Sequence, residues 1–197
     1  MGPISHWDLQ KTADRVSARN TDTTRHKCFV SYHAADSVEV QQFIEQFGET
    51  FIPRVIGVSD DDPWVDSSNT DYIMSLVRER YLGDSTVTIV LVGRCTWARR
   101  YVDWEVYSSL KQYAGSQING LMAVTLPSAA NYSSKQLPAR VDDNVIDVDG
   151  YARWYKYPST QLSLRNQIET AFGYRSSRSH LINNSRTRKL NSSPCTP

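Results

Sequence analysis

Residues 85–110 read STVTIVLVGRCTWARRYVDWEVYSSL. The run Val87 to Val92 (VTIVLV) is apolar on consecutive rather than alternate positions, which means burial on both faces and marks a central parallel strand. A helix is expected to follow it from about Arg99 to Tyr113, because apolar and aromatic residues recur there at helical spacing. A buried strand feeding a helix is the repeating unit of an open α/β sheet.

Outward from this unit the same alternation continues. Lys27 to Tyr32 (KCFVSY) reads as a strand, followed by a helix over Ser37 to Phe51 whose Val38, Phe43, Ile44 and Phe47 share one face. Arg54 to Val58 (RVIGV) reads as a second strand. The acidic stretch Ser59 to Asn69 leads from it to a helix over about Asp71 to Leu82. Beyond the central unit, Gly120 to Leu126 reads as a strand, Val145 to Val148 as an edge strand and Thr160 to Phe172 as a last helix. Right-handed crossovers leave few topologies for such a chain. The expected fold is α/β and flavodoxin-like: a parallel five-stranded sheet of order 2-1-3-4-5 with helices on both faces.

Three segments are expected: an N-terminal arm over 1–25 with a short helix around Trp7 to Val16, a domain over 26–174, and a disordered tail over 175–197. The tail holds five basic residues and no acidic one. Its plainest role is that of a solvated terminus.

Composition narrows the function. The chain has 197 residues, 22 Lys and Arg against 21 Asp and Glu, and a net charge of +1, so no global field points to nucleic acid or an anionic membrane. No stretch reaches the roughly 20 apolar residues of a membrane helix, and residues 1–25 lack the apolar segment of a secretory signal, so a cytoplasmic protein is expected. Cys28, Cys95 and Cys195 are odd in number, far apart and free of CxxC spacing, and the four histidines form no HExxH. Neither a disulfide framework nor a metal site is expected.

In a doubly wound sheet ligands bind beyond the carboxyl ends of the strands, where the strand order reverses. Ser31, Tyr32, His33 and Asp36 follow the first strand. Asp60, Asp61, Asp62, Trp64 and Asp66 follow the second, and Arg94, Cys95, Trp97, Arg99 and Arg100 follow the third. No GxGxxG or GxxxxGK[ST] is present, so the ordinary dinucleotide and NTPase fingerprints are missing. A phosphoacceptor receiver needs an acidic pair after strand one and an Asp closing strand three, and this chain has neither.

Tyr101 and Glu105, four residues apart, share a helical face with Trp97 one turn earlier. If that face lines the cleft, one carboxylate is held against aromatic walls and poorly hydrated; otherwise Glu105 is a surface partner of Arg99 or Arg100. The polar and aromatic residues around it each allow two roles. His33 hydrogen-bonds a substrate or caps the strand end. Asp60 to Asp62 bind a divalent ion or are solvated acids, and Trp64 is a lid or a core plug. Cys95 is a substrate-contacting or merely buried thiol, not a nucleophile. Arg99 and Arg100 meet a pyrophosphate or acidic neighbours.

Three blocks in this order and spacing, KCFVSYHAAD (27–36), VIGVSDDDPWVDSSN (55–69) and residues 85–110, resemble the TIR-like family of antiphage proteins, in particular the TIR proteins of Thoeris defence systems. GYARWYKYPS (150–159) resembles its longer members. The resemblance implies a flavodoxin-like fold and cleavage of NAD at the nicotinamide–ribose bond, with NAD as substrate and no cofactor. It implies a catalytic glutamate at Glu105. Tyr101 stands where many relatives have Trp, which keeps a ring but loses stacking area. Ser31, Tyr32, His33, Asp62, Trp64, Arg94, Cys95 and Tyr101 are the expected substrate contacts. A cyclic ADP-ribose isomer would then diffuse to a separate effector. A homo-oligomer is allowed for; a membrane or a specific nucleic acid is not expected as a partner. Two other classes compete: a non-catalytic interaction module, and a transferase similar to nucleoside deoxyribosyltransferases.

Overall fold

The structure, a computed structural model, describes residues 4–55, 82–112, 117–131, 136–145 and 149–195. Its sheet has five parallel strands: β1 (Lys27–Ser31), β2 (Ile52–Val55), β3 (Val87–Val92), β4 (Gly120–Thr125) and β5 (Arg153–Tyr155). Their order is β2-β1-β3-β4-β5, as the sequence predicts. Ser31 pairs with Val90, and Val92 with Thr125. All six residues of β3 are buried, the direct result of its continuous apolar run.

Side chains alternate across this sheet and build two cores. Cys28, Val30, Ile89, Leu91, Met122 and Val124 face α1 (His6–Ser17), α2 (Ser37–Phe47) and the last long helix, Gln161–Ser177. Val90, Val92, Leu121 and Ala123 face α3 (Arg100–Ser109) and the short α4 (Ala139–Asp142). The last long helix is α5.

The structure corrects several expectations. Within the N-terminal arm, residues 4–25 pack onto the domain: Leu9, Ala13 and Val16 are fully buried in α1, one face at helical spacing, and Ser5 caps the helix by accepting from the Asp8 N–H. The second helix ends at Phe47 rather than Phe51. Gly48 follows it, where an ideal Cβ would lie 2.8 Å from Val16 Cγ1, so α1 can approach only because no side chain is there. The edge strand is Arg153–Tyr155, paired with Met122–Val124 and pinned by Trp154 Nε1 donating to Thr125 Oγ1. Val145 instead sits in the turn after α4, its N–H bonded to Val141 and Asp142 carbonyls. Residues 146–148 lie outside the described residues, as do Val58 and, apart from buried Leu82, the helix expected over 71–82.

The expected tail is not a free terminus. Helix α5 runs to Ser177, and residues 183–195 return along the outer face of α3. Cys95 and Cys195 form a disulfide, with Cα atoms 5.7 Å apart. Among the described residues no helix is long and apolar enough to cross a membrane.

Candidate active site at the carboxyl ends of β1 and β3

Alternation along β1 turns Ser31 toward α3, which begins shortly beyond the carboxyl end of β3. Ser31 Oγ donates to Glu105 Oε2 at 2.6 Å across 74 residues of sequence. Both side chains are buried, Glu105 only 5% exposed. Removal from water pushes the Glu105 carboxyl up to about 8, against the opposing pull of the Ser31 hydrogen bond. Near neutral pH this acid is held largely in its protonated form. A surface Glu105 paired with Arg99 or Arg100 is therefore not what the fold adopts.

A second carboxyl group lies at the same rim. Asp36 precedes α2 without capping it and turns instead toward Gly93, where an ideal Cβ would sit 2.2 Å from Asp36 Oδ2. Only glycine admits that carboxyl group so close to the end of β3. Thr96 Oγ1 donates to Asp36 Oδ2 at 3.4 Å. Burial, with Glu39 adding its charge, raises the Asp36 carboxyl to about 6. The sequence places Asp36 after β1, but the close approach that makes Gly93 necessary carries no sequence signal.

The other expected contacts are dispersed. Tyr32 packs half-buried against the first core, and the His33 carbonyl accepts from the Asp36 N–H. Arg94 Nε donates to the Ser128 carbonyl at 3.3 Å, toward the β4 end. Tyr101, one turn before Glu105, stacks edge-on against Trp104 at 5.4 Å, with the Arg100 guanidinium 4.8 Å above its ring. Cys95 is no thiol: its sulfur is bonded to Cys195, an outcome its distance from Cys195 in sequence concealed. Asp60, Asp61, Asp62, Trp64 and Asp66 lie outside the described residues. Among the described residues no group of three or more His, Cys, Asp or Glu is positioned to hold a metal ion.

On the opposite flank of α3 the sequence reading missed an ion pair. Arg140 is fully buried and donates through Nε and Nη2 to Asp103 at 2.9 and 3.3 Å. Such a buried guanidinium does not announce itself in sequence, where Arg ordinarily reads as surface.

The family model for the TIR-like domain of the Thoeris protein ThsB matches residues 29–131. The chain belongs to that family. Among curated proteins none matches it. The matched span of this ThsB-type TIR-like domain takes in Ser31, Asp36, Gly93 and Glu105. Helix α1, β5, α5 and the returning segment 183–195 lie outside it.

Proposed function

We propose that this protein is a Thoeris-type defence enzyme that breaks the nicotinamide–ribose bond of NAD. It then closes the ADP-ribose part into a cyclic isomer that diffuses to a separate effector. The observation that carries this reading is the Ser31–Glu105 pair: one buried acid, without an ion partner among the described residues, at the point of the sheet where ligands bind.

One carboxyl group suffices for this reaction. Ordinary glycosidases need a second because their leaving group must be protonated. Nicotinamide in NAD is already cationic and leaves neutral: the bond from its ring nitrogen to the ribose anomeric carbon breaks, and the electron pair stays on the nitrogen. The cationic ring also lowers the pKa of a nearby acid. Its arrival draws the Glu105 proton off to solvent, and the resulting anion faces the positive charge that moves onto the ribose. Ser31 holds the carboxylate in place. Whether a group of the same molecule or water then attacks the anomeric carbon is a matter of positioning.

The near-complete burial of Glu105 also favours a second reading, a non-catalytic module in which a protonated glutamate merely ties α3 to β1. Incubation of purified protein with NAD, following nicotinamide release and product identity, separates the two. Glu105→Gln keeps an acceptor for Ser31 but cannot become an anion, so turnover should fall by about a hundredfold or more. Equal rates in the variant and the wild type would overturn the proposal; turnover in neither would favour the module.

A further inference from the structure

Residues 183–195 form a strap that runs antiparallel to α3 along the face bearing Arg100, Asp103, Trp104 and Tyr107. Asn184 Nδ2 donates to the Tyr107 carbonyl at 3.0 Å, and Trp104 Nε1 donates to the Lys189 carbonyl at 2.7 Å. At the far end the Ser193 N–H donates to the Ala98 carbonyl at 2.8 Å, and the Arg100 N–H donates to Ser192 Oγ at 3.2 Å.

The strap also completes the buried ion pair: Asn184 Oδ1 accepts from Arg140 Nη1 at 2.9 Å, and the Lys189 N–H donates to Asp103 Oδ2 at 2.8 Å. Buried charges need such partners, so the strap docks on a surface built to receive it.

Its end is closed covalently. Cys95 lies in the turn between β3 and α3 and is 1% exposed; Cys195 is half-buried beside exposed Pro194. The remaining cysteine, Cys28, is fully buried and burial pushes its thiol up, so it does not compete in exchange.

We propose that the Cys95–Cys195 disulfide is a thiol-sensitive latch. A small thiol or a protein dithiol opens it, the strap leaves α3, and the Glu105 site passes from a resting to a working form. The latch rests on the strap's geometry, whereas its effect on turnover rests on the NAD-cleaving reading.

A thiolate attacks Cys195 Sγ, the more accessible sulfur. The S–S bond breaks, and its electron pair leaves on Cys95 Sγ, which takes a proton from solvent. A second thiol displaces the first from Cys195 and is oxidised with it to their own disulfide, leaving two protein thiols. A small-molecule disulfide such as oxidised glutathione reverses the exchange.

The resting assignment follows from the site. Glu105 is 5% exposed while the strap clamps both ends of the helix that carries it. Arg100, stacked on Tyr101, donates through Nη1 to the Leu190 carbonyl at 3.5 Å, so the first turn of α3 is held by the strap as well.

The 197-residue chain is equilibrated with oxidised glutathione, then divided and one half reduced with dithiothreitol. Amide hydrogen exchange is followed in both halves, and nicotinamide release from NAD in parallel. On reduction the Lys189 and Ser193 amides should exchange about tenfold faster or more, with the β3 amides unchanged. Nicotinamide release should rise several-fold, and Cys195→Ser should behave as the reduced form without reductant. Equal protection of the strap in both halves overturns the latch whatever NAD does. A looser strap with unchanged or slower turnover overturns the resting assignment. A looser strap with no turnover in either half supports the latch and counts against the NAD reading alone.

Discussion

Asp103 and Glu105 stand two residues apart on α3, both buried, and the helix turns them to opposite surroundings. Asp103 meets a guanidinium at two points and a backbone N–H from the strap. Glu105 meets one hydroxyl, and among the described residues no cation pairs with it. A carboxylate matched by a cation and further donors is a fastening, because its charge is already answered. One that is desolvated and unmatched has its charge to offer to an arriving cation. The comparison separates the acid that holds the helix from the acid proposed to react on it.

The largest effect should come from breaking the fastening. Arg140→Ala leaves the Asp103 charge buried without its partner and should cost about 3–5 kcal/mol in urea unfolding. Replacing both members with apolar residues of similar size should cost much less. A small loss from the single change would remove the distinction between the two acids.

Glu105→Gln should act with the opposite sign. The carboxyl ionises in the unfolded chain above its ordinary value near 4.5, whereas the folded protein retains the proton until about 8. The wild type therefore loses stability as pH rises through that window and levels off above it. A neutral amide escapes the loss, so at pH 8.5 the variant should be more stable by about 2–4 kcal/mol, and at pH 4 it should have no such advantage. Unfolding curves at the two pH values check this.

Ser31→Ala removes the one hydrogen bond that, among the described residues, favours the Glu105 anion. The carboxyl should titrate still higher and the fold should lose about 1–2 kcal/mol, read by carboxyl NMR and by urea unfolding.

Asp36 falls between the two extremes, raised only to about 6 and touched by one long hydrogen bond. Its penalty develops between about pH 4 and 6. Asp36→Asn should therefore recover about 1 kcal/mol at pH 7 and nothing at pH 3.5.

The fold was legible because it depends on local pattern. The continuous apolar run Val87–Val92 reads as a buried strand, whereas the four-residue spacing of Tyr101 and Glu105 left a cleft carboxylate and a surface ion pair both open, and the resemblance to the TIR-like family selected the first. The strap was illegible for the converse reason. Residues 183–195 are polar, basic and without periodicity, and they are ordered by partners 39 to 100 residues distant: Asn144, the Asp103–Arg140 pair, backbone carbonyls of α3 and Cys95. Strand β5 was hidden similarly. Its three residues show no alternation, and pairing with β4 defines it. Ser31, by contrast, was legible as a residue at a strand end, although its partner was not.

The decisive measurement is the titration of the Glu105 side-chain carboxyl by 13C NMR, assigned by loss of its signal in Glu105→Gln and followed from pH 3 to 10 in the oxidised, NAD-free protein. A midpoint near 8 is the expected result. A midpoint between 4 and 5 would show a hydrated acid with nothing held in reserve for a cationic ring, and the assignment of Glu105 as the reacting group would fail with it.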